Sequence, residues 1–134
     1  MKKTILVADD YRNEREKIRE LLELEYNVIL AADGMIALDK LEEMGIDGID
    51  GAVLDYMMMH DDDTRLWERE IQASEFYGDA VARKFRQAGF TGPIVIRSTM
   101  ADSLTRRVDG LNVYLHSKNE SDQKIMDYLK SQLE

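Results

Sequence analysis

Two carboxylates in a row, Asp9 and Asp10, close the apolar run TILVA, and a single carboxylate, Asp55, ends the run GAVL. Two hydroxyls, Ser98 and Thr99, follow PIVIR, and a lysine, Lys118, follows NVYLHS. Three carboxylates sharing one crevice would repel each other and raise each other's pKa unless a cation sat among them. Oxygen-only ligands with room for water suit Mg2+, which is typically held by one or two carboxylates together with phosphate oxygens. Phosphoryl transfer needs chiefly positioning and charge neutralisation, which a divalent ion, a lysine and a hydroxyl donor supply around an attacking carboxylate. Each residue taken alone has a plainer reading, and for Asp10, just ahead of a helical stretch, that reading is a helix cap.

The elements that must gather these residues are legible as short apolar runs at 4–8, 27–32, 51–54, 93–96 and 112–115. They are continuous rather than alternating, as expected of strands buried on both faces. Between them lie stretches with helical spacing, such as Ile18, Leu21 and Leu22, or Ala37, Leu38, Leu41 and Met44, and the chain closes on Ile125, Met126, Leu129 and Leu133. Alternating strands and helices predict an α/β doubly wound fold with a parallel sheet. In such sheets ligands bind outside the carboxyl ends of the strands, where four of the five runs place a polar residue.

The spacing between the third and fourth runs exceeds one loop, helix and loop. An acidic turn and a short helix are expected at about 60–77, HDDDTRLWEREIQASEFY. Asp61, Asp62 and Asp63 lack the alternating spacing of a calcium loop, so a solvated helix N-terminus is expected there. His60 has no obvious metal partners and His116 lies within a strand, and each reads as structural or solvent-exposed rather than catalytic. Leu66, Trp67, Ile71, Phe76 and Tyr77 read as a small core of the extra segment, with a partner-binding edge as the alternative.

The bulk properties agree with one soluble domain over residues 1–134. The chain has 134 residues, 44% of them apolar and 34% charged. A net charge of -9 disfavours nucleic acid and anionic membranes as partners. MKKTILVA looks like the start of a secretory signal, but Asp9 and Asp10 interrupt it after a few apolar residues. The absence of cysteine rules out disulfides and thiol chemistry, and with no run of membrane-spanning length a cytoplasmic location is the simplest expectation.

Taken in order, these pieces resemble the receiver domains of two-component response regulators. ILVADD resembles the family's first strand and acidic pair, NVILAADGMIAL its second strand and glycine turn, and VLDYMM the strand carrying the phospho-accepting aspartate. PIVIRST resembles the hydroxyl-bearing fourth strand, and Lys118 follows the fifth. The resemblance covers nearly the whole chain and implies a flavodoxin-like five-stranded sheet in the order 2-1-3-4-5, with the extra helical segment after the third strand. It implies that Asp55 takes a phosphoryl group from a histidine kinase or phosphotransfer protein. It also implies Mg2+ held by Asp10, Asp55 and the Met57 backbone carbonyl, with Asp9 acting through water. Lys118 would pair with the phosphoryl group, and the Ser98 hydroxyl would bond one of its oxygens, with Thr99 as the alternative. A stand-alone receiver of the chemotaxis type, signalling by docking a downstream protein, is the expected function.

The chain departs from the family pattern in several places. Met59 stands where a proline is frequent, and Asn119 follows Lys118 where the family usually has a proline joined by a cis bond. A non-proline cis bond costs about 3 kcal/mol, so a trans peptide is expected. Leu115 occupies the position of the family's switch aromatic, three residues before the lysine, and period-two alternation sends its neighbour Tyr114 to the opposite face. ADSLTRRV leaves little more than two turns for the fourth helix. Two other functions remain open: a pseudo-receiver acting as a constitutive interaction module, and a Mg2+-dependent phosphohydrolase with an aspartyl-phosphate intermediate. Against the second, Met57 stands two residues beyond Asp55, where that class generally has an aspartate as general acid and base.

Overall fold

The structure is a computed structural model that describes residues 2–58 and 73–134. Five strands, β1 (Thr4–Ala8), β2 (Asn27–Ala31), β3 (Gly51–Asp55), β4 (Ile94–Ser98) and β5 (Tyr114–Ser117), form one parallel sheet in the order β2-β1-β3-β4-β5. Helices α1 (Arg12–Leu22), α2 (Gly34–Met44), α3 (Gly78–Gln87) and α4 (Gln123–Leu133) cover its two faces. This is the doubly wound order expected from the sequence.

Period two along each strand divides the core. Leu6, Ala8, Ala52, Leu54, Ile94 and Ile96 pack with Ala37 and Leu41 of α2 and with Val81 and Phe85 of α3. Ile5, Val7, Val53 and Val95 turn the other way, onto Ile18 and Leu22 of α1 and Ile125 and Leu129 of α4. The register Val7↔Val53↔Val95 lays equivalent residues side by side across the sheet. One step further along, the same row carries Asp55↔Arg97↔His116.

Strand order reverses between β1 and β3, so the crevice at their carboxyl ends is the switch point at which such folds bind ligands. Local signals shape its rim. Asp33 caps α2, its side chain accepting the Ile36 N–H at 2.7 Å. Gly34 then lets the chain at 73–76 pass close by: a Cβ there would lie 2.2 Å from the Phe76 carbonyl oxygen and 2.6 Å from Val81 Cγ2. Gly34→Ala is therefore expected to lower the unfolding free energy by ~1–3 kcal/mol, read from the urea midpoint, and unchanged stability would contradict this packing.

Two elements differ from the sequence expectation. The fifth strand, expected at 112–115, runs over Tyr114–Ser117. Asn112 adopts a positive φ of 55°, outside the extended range of a regular strand, and Arg86 fastens the carbonyls of Leu111 (2.9 Å) and Asn112 (3.0 Å), fixing the turn ahead of it. The expected fourth helix is a 3-10 turn, Ala101–Leu104, followed by further turns to 110. Hydroxyls there take backbone carbonyls, Ser103 Oγ donating to Met100 O and Thr105 Oγ1 to Asp102 O, in competition with a helical ladder. Leu104, Val108 and Leu111 still bury against the sheet.

Most of the extra segment, with Met59, His60, Asp61, Asp62, Asp63, Leu66, Trp67 and Ile71, lies outside the described residues. Its end is a 3-10 turn, Ala73–Phe76, after which Tyr77 packs edge-on against Tyr56 with ring centroids 5.3 Å apart. No helix among the described residues is long and apolar enough to cross a membrane.

Candidate functional site

Four strand ends deliver the candidate side chains to one pocket of about 380 Å³, lined by Asp9, Asp10, Tyr11, Glu14, Asp55, Met57, Ser98, Thr99 and Lys118. The ladder continues past the last strand residues and fixes these ends. Asp9 N donates to Ala31 O at 3.1 Å, Tyr56 N to Arg97 O at 2.9 Å and Lys118 N to Ser98 O at 3.0 Å. From α1, Arg15 Nη1 reaches back 2.8 Å to Asp9 O, tying the helix to the strand end that carries the acidic pair.

Every residue singled out from the sequence as catalytic or metal-binding lines this pocket. Asp9 and Asp55 are buried and Asp10 is half-buried, and one carboxylate oxygen from each lies within 4.8 Å of the others. That spacing and an all-oxygen donor set fit a small, hard divalent ion. Lys118 Nζ lies 2.6 Å from Asp55 Oδ1, a direct ion pair at the pocket floor. Ser98 is buried and its Oγ accepts the Met100 N–H at 2.9 Å, leaving the hydroxyl proton to be donated, whereas Thr99 is exposed. Met57 is 43% exposed at the pocket wall.

Burial, with the neighbouring carboxylate, shows in Asp9, whose pKa is raised to about 7. Burial is the main cause and the Asp55 charge the second, opposed by the Tyr11 N–H and by the Lys118 and Arg97 charges. Between the ordinary value of 3.8 and about 7 the folded state holds a proton that the unfolded chain has lost. Through this group, the metal-free protein loses stability as pH rises across that window. Asp9→Asn, which titrates in neither state, is expected to flatten the pH dependence of urea unfolding between pH ~4 and ~7 in chelator. An undiminished slope in the variant would show that Asp9 is not its source.

The sequence reading missed Arg97. This β4 residue is only 3% exposed, and its guanidinium sits 3.1 Å from Asp9 Oδ2, 3.0 Å from Glu14 Oε2 and 3.7 Å from Asp122 Oδ1. Beside it, fully buried His116 places Nε2 3.4 Å from Asp122 Oδ1, at an angle that forms no hydrogen bond. Burial lowers its pKa, with the Asp122 carboxylate pulling the other way. A signal for Arg97 was present: in IVIRS, alternation sets Arg97 on the same face as Val95, and so on the side of the sheet to which Asp9 and Asp55 belong. Leu115 packs on the α2 and α3 side of the sheet and Tyr114 on the opposite side, stacked on Tyr128 at 4.7 Å. No cis peptide bond occurs among the described residues, so the Lys118–Asn119 bond is trans.

No protein-family model matches the chain, and no curated protein matches its sequence. Solved structures do resemble it. A response regulator receiver protein from Sinorhizobium medicae is 21% identical, with 97% of this chain and 93% of that one covered and a TM-score of 0.75. The chemotaxis protein CheY4 of Vibrio cholerae is 17% identical over 99% of this chain and 100% of that one, with a TM-score of 0.72. A CheX–CheY–BeF3–Mg2+ complex from Borrelia burgdorferi contains a chain 16% identical, with 96% of this chain and 87% of that one covered and a TM-score of 0.74. At these identities the likeness establishes the fold, and the fold is that of the response regulator receiver domains.

Proposed function

We propose that this chain is a phosphorylation-dependent signalling switch of a two-component phosphorelay, a single receiver domain over residues 1–134 with an extra segment at about 60–77. The observation that carries the reading is the convergence of Asp9, Asp10, Asp55, Ser98 and Lys118 on one pocket at the switch point of the sheet. A carboxylate oxygen of Asp55 attacks the phosphorus of a phosphohistidine on a histidine kinase or phosphotransfer protein. The P–O bond forms as the P–N bond breaks, and the departing imidazole nitrogen keeps the bonding pair and takes up a proton.

Lys118, already 2.6 Å from Asp55, is placed to neutralise the new phosphoryl group, and the Ser98 hydroxyl to donate to one of its oxygens, with neighbouring Thr99 as the alternative donor. Asp10, Asp55 and the Met57 backbone carbonyl would hold Mg2+, with Asp9 acting through water. When bound, the ion supplies positive charge that offsets repulsion between the carboxylates and the incoming phosphoryl oxygens. A chain of the Borrelia CheX–CheY complex, solved with BeF3 and Mg2+, shares this fold, which supports a Mg2+ site in the acidic pocket. The protein acts on no other substrate, resides in the cytoplasm and signals by docking a downstream protein rather than nucleic acid or membrane, as its net charge of -9 favours.

Intact mass after incubation with acetyl phosphate and Mg2+ tests the reading. One added phosphoryl group is expected. No addition would favour a constitutive interaction module, and continuous turnover of phosphate esters would favour a hydrolase.

A further inference from the structure

Arg97 is a buried charged residue near the carboxyl end of β4, flanked in register by Asp55 on β3 and His116 on β5. A buried guanidinium is costly unless paired, and this one is shared between Asp9, a buried member of the acidic cluster, at 3.1 Å and Glu14 at 3.0 Å. Both oxygens of Asp9 are thereby engaged within the protein: Oδ1 accepts the Tyr11 N–H at 2.9 Å and Oδ2 accepts Arg97 Nη1 at 3.1 Å. The guanidinium is in turn held by Glu14 from α1 and lies 3.7 Å from Asp122 at the start of α4, so its place is set from both helices on that face. With the Asp9 carboxyl ionised, Asp9 and Arg97 together form a neutral, almost fully buried pair at the edge of the carboxylate cluster.

We propose that Arg97 is a positioning residue that neutralises Asp9 inside the protein. A divalent cation at this site is then held by Asp10 and Asp55 with little charge drawn from Asp9, and binds more weakly than three unopposed carboxylates would bind it. The proposal rests on the assignment of the acidic pocket as a Mg2+ site. Two consequences of opposite sign follow from Coulomb's law at short range in a poorly solvated place. Removing Arg97 alone releases the Asp9 charge toward the cation and tightens binding. Removing Asp9 alone leaves an opposing positive charge beside the cation and weakens it. Removing both restores the neutral balance, so the two effects cancel.

Mg2+ binding to the full chain, measured by isothermal titration calorimetry at pH ~8, tests this as a double-mutant cycle. Arg97→Met is expected to tighten Mg2+ binding by roughly tenfold, Asp9→Asn to weaken it by a similar factor, and the double variant to fall within about threefold of the wild type. Asp10→Asn marks the loss of a direct ligand and is expected to weaken binding by more than about tenfold. A merely structural Arg97 would leave the Arg97→Met affinity unchanged, and that result overturns the proposal. Should Arg97→Met fail to fold, the double variant read against Asp9→Asn still decides: recovery of the affinity that Asp9→Asn loses supports the neutral pair, and a double variant no tighter than Asp9→Asn overturns it. No Mg2+ uptake by the wild type would instead overturn the cation-site assignment and this proposal together.

Discussion

Asp55→Asn is expected to take up no phosphoryl group from acetyl phosphate under conditions in which the wild type takes up one. The substitution is nearly isosteric, and the site is 4% exposed in the last residue of a central strand, so the backbone and the packing of Val53 and Leu54 should survive it. The chemistry does not survive, because an amide oxygen is a poor nucleophile and the resulting acyl phosphate has no counterpart on nitrogen that would persist. The other carboxylates of the pocket do not substitute for it. Asp9 has one oxygen against the Arg97 guanidinium and the other on the Tyr11 N–H, so both are already engaged. Intact mass with peptide mapping checks the result, and undiminished labelling of the variant would move the acceptor to another residue.

The second large effect is expected at Lys118. Its ammonium lies 2.6 Å from a carboxylate that is 5% exposed, while Lys118 itself is 27% exposed. Breaking a fully buried ion pair from one side costs ~3–5 kcal/mol, and partial solvent access at Lys118 reduces that figure here. Lys118→Met should therefore fold with lowered stability in the absence of Mg2+. The larger consequence is kinetic. Loss of one preorganised positive donor at a site of developing negative charge typically costs ~100–1,000-fold in rate, and phosphoryl uptake from acetyl phosphate should slow by that order. Time-resolved intact mass checks it, and wild-type uptake by the variant would remove Lys118 from the site's chemistry.

How much of this was legible in the sequence depended on how local each signal is. Continuous apolar runs are a local signal, and TILVA, NVILA and GAVLD became strands close to their expected bounds. The fifth strand slipped by two residues because the decisive contacts come from elsewhere: Arg86, 25 and 26 residues before its carbonyl partners, fixes the turn that holds Asn112 out of the sheet. The short fourth helix became a 3-10 turn in which the Ser103 and Thr105 hydroxyls also bond to backbone carbonyls, a local preference that periodicity does not register.

At the site, the acidic pair, the lone aspartate, the hydroxyls and the lysine could be found because a doubly wound sheet always brings its strand ends together. Arg97 escaped notice because its partners are 88 and 83 residues away, at Asp9 and Glu14, and because a charged residue inside an apolar run is easily taken for the run's end. Counting by twos from Val95 would have set it beside Asp55, its register partner on β3.

The central claim is that the sheet gathers Asp9, Asp10, Asp55, Ser98 and Lys118 around one cation and that Asp55 accepts phosphorus. A crystal structure of the protein with Mg2+ and beryllium trifluoride tests it most directly. The account predicts beryllium on an Asp55 carboxylate oxygen, Mg2+ against Asp10 and Asp55, and Lys118 with Ser98 or Thr99 in contact with the fluorines. Crystals that hold Mg2+ and fluoroberyllate elsewhere, with Asp55 still bound only to Lys118, would contradict it.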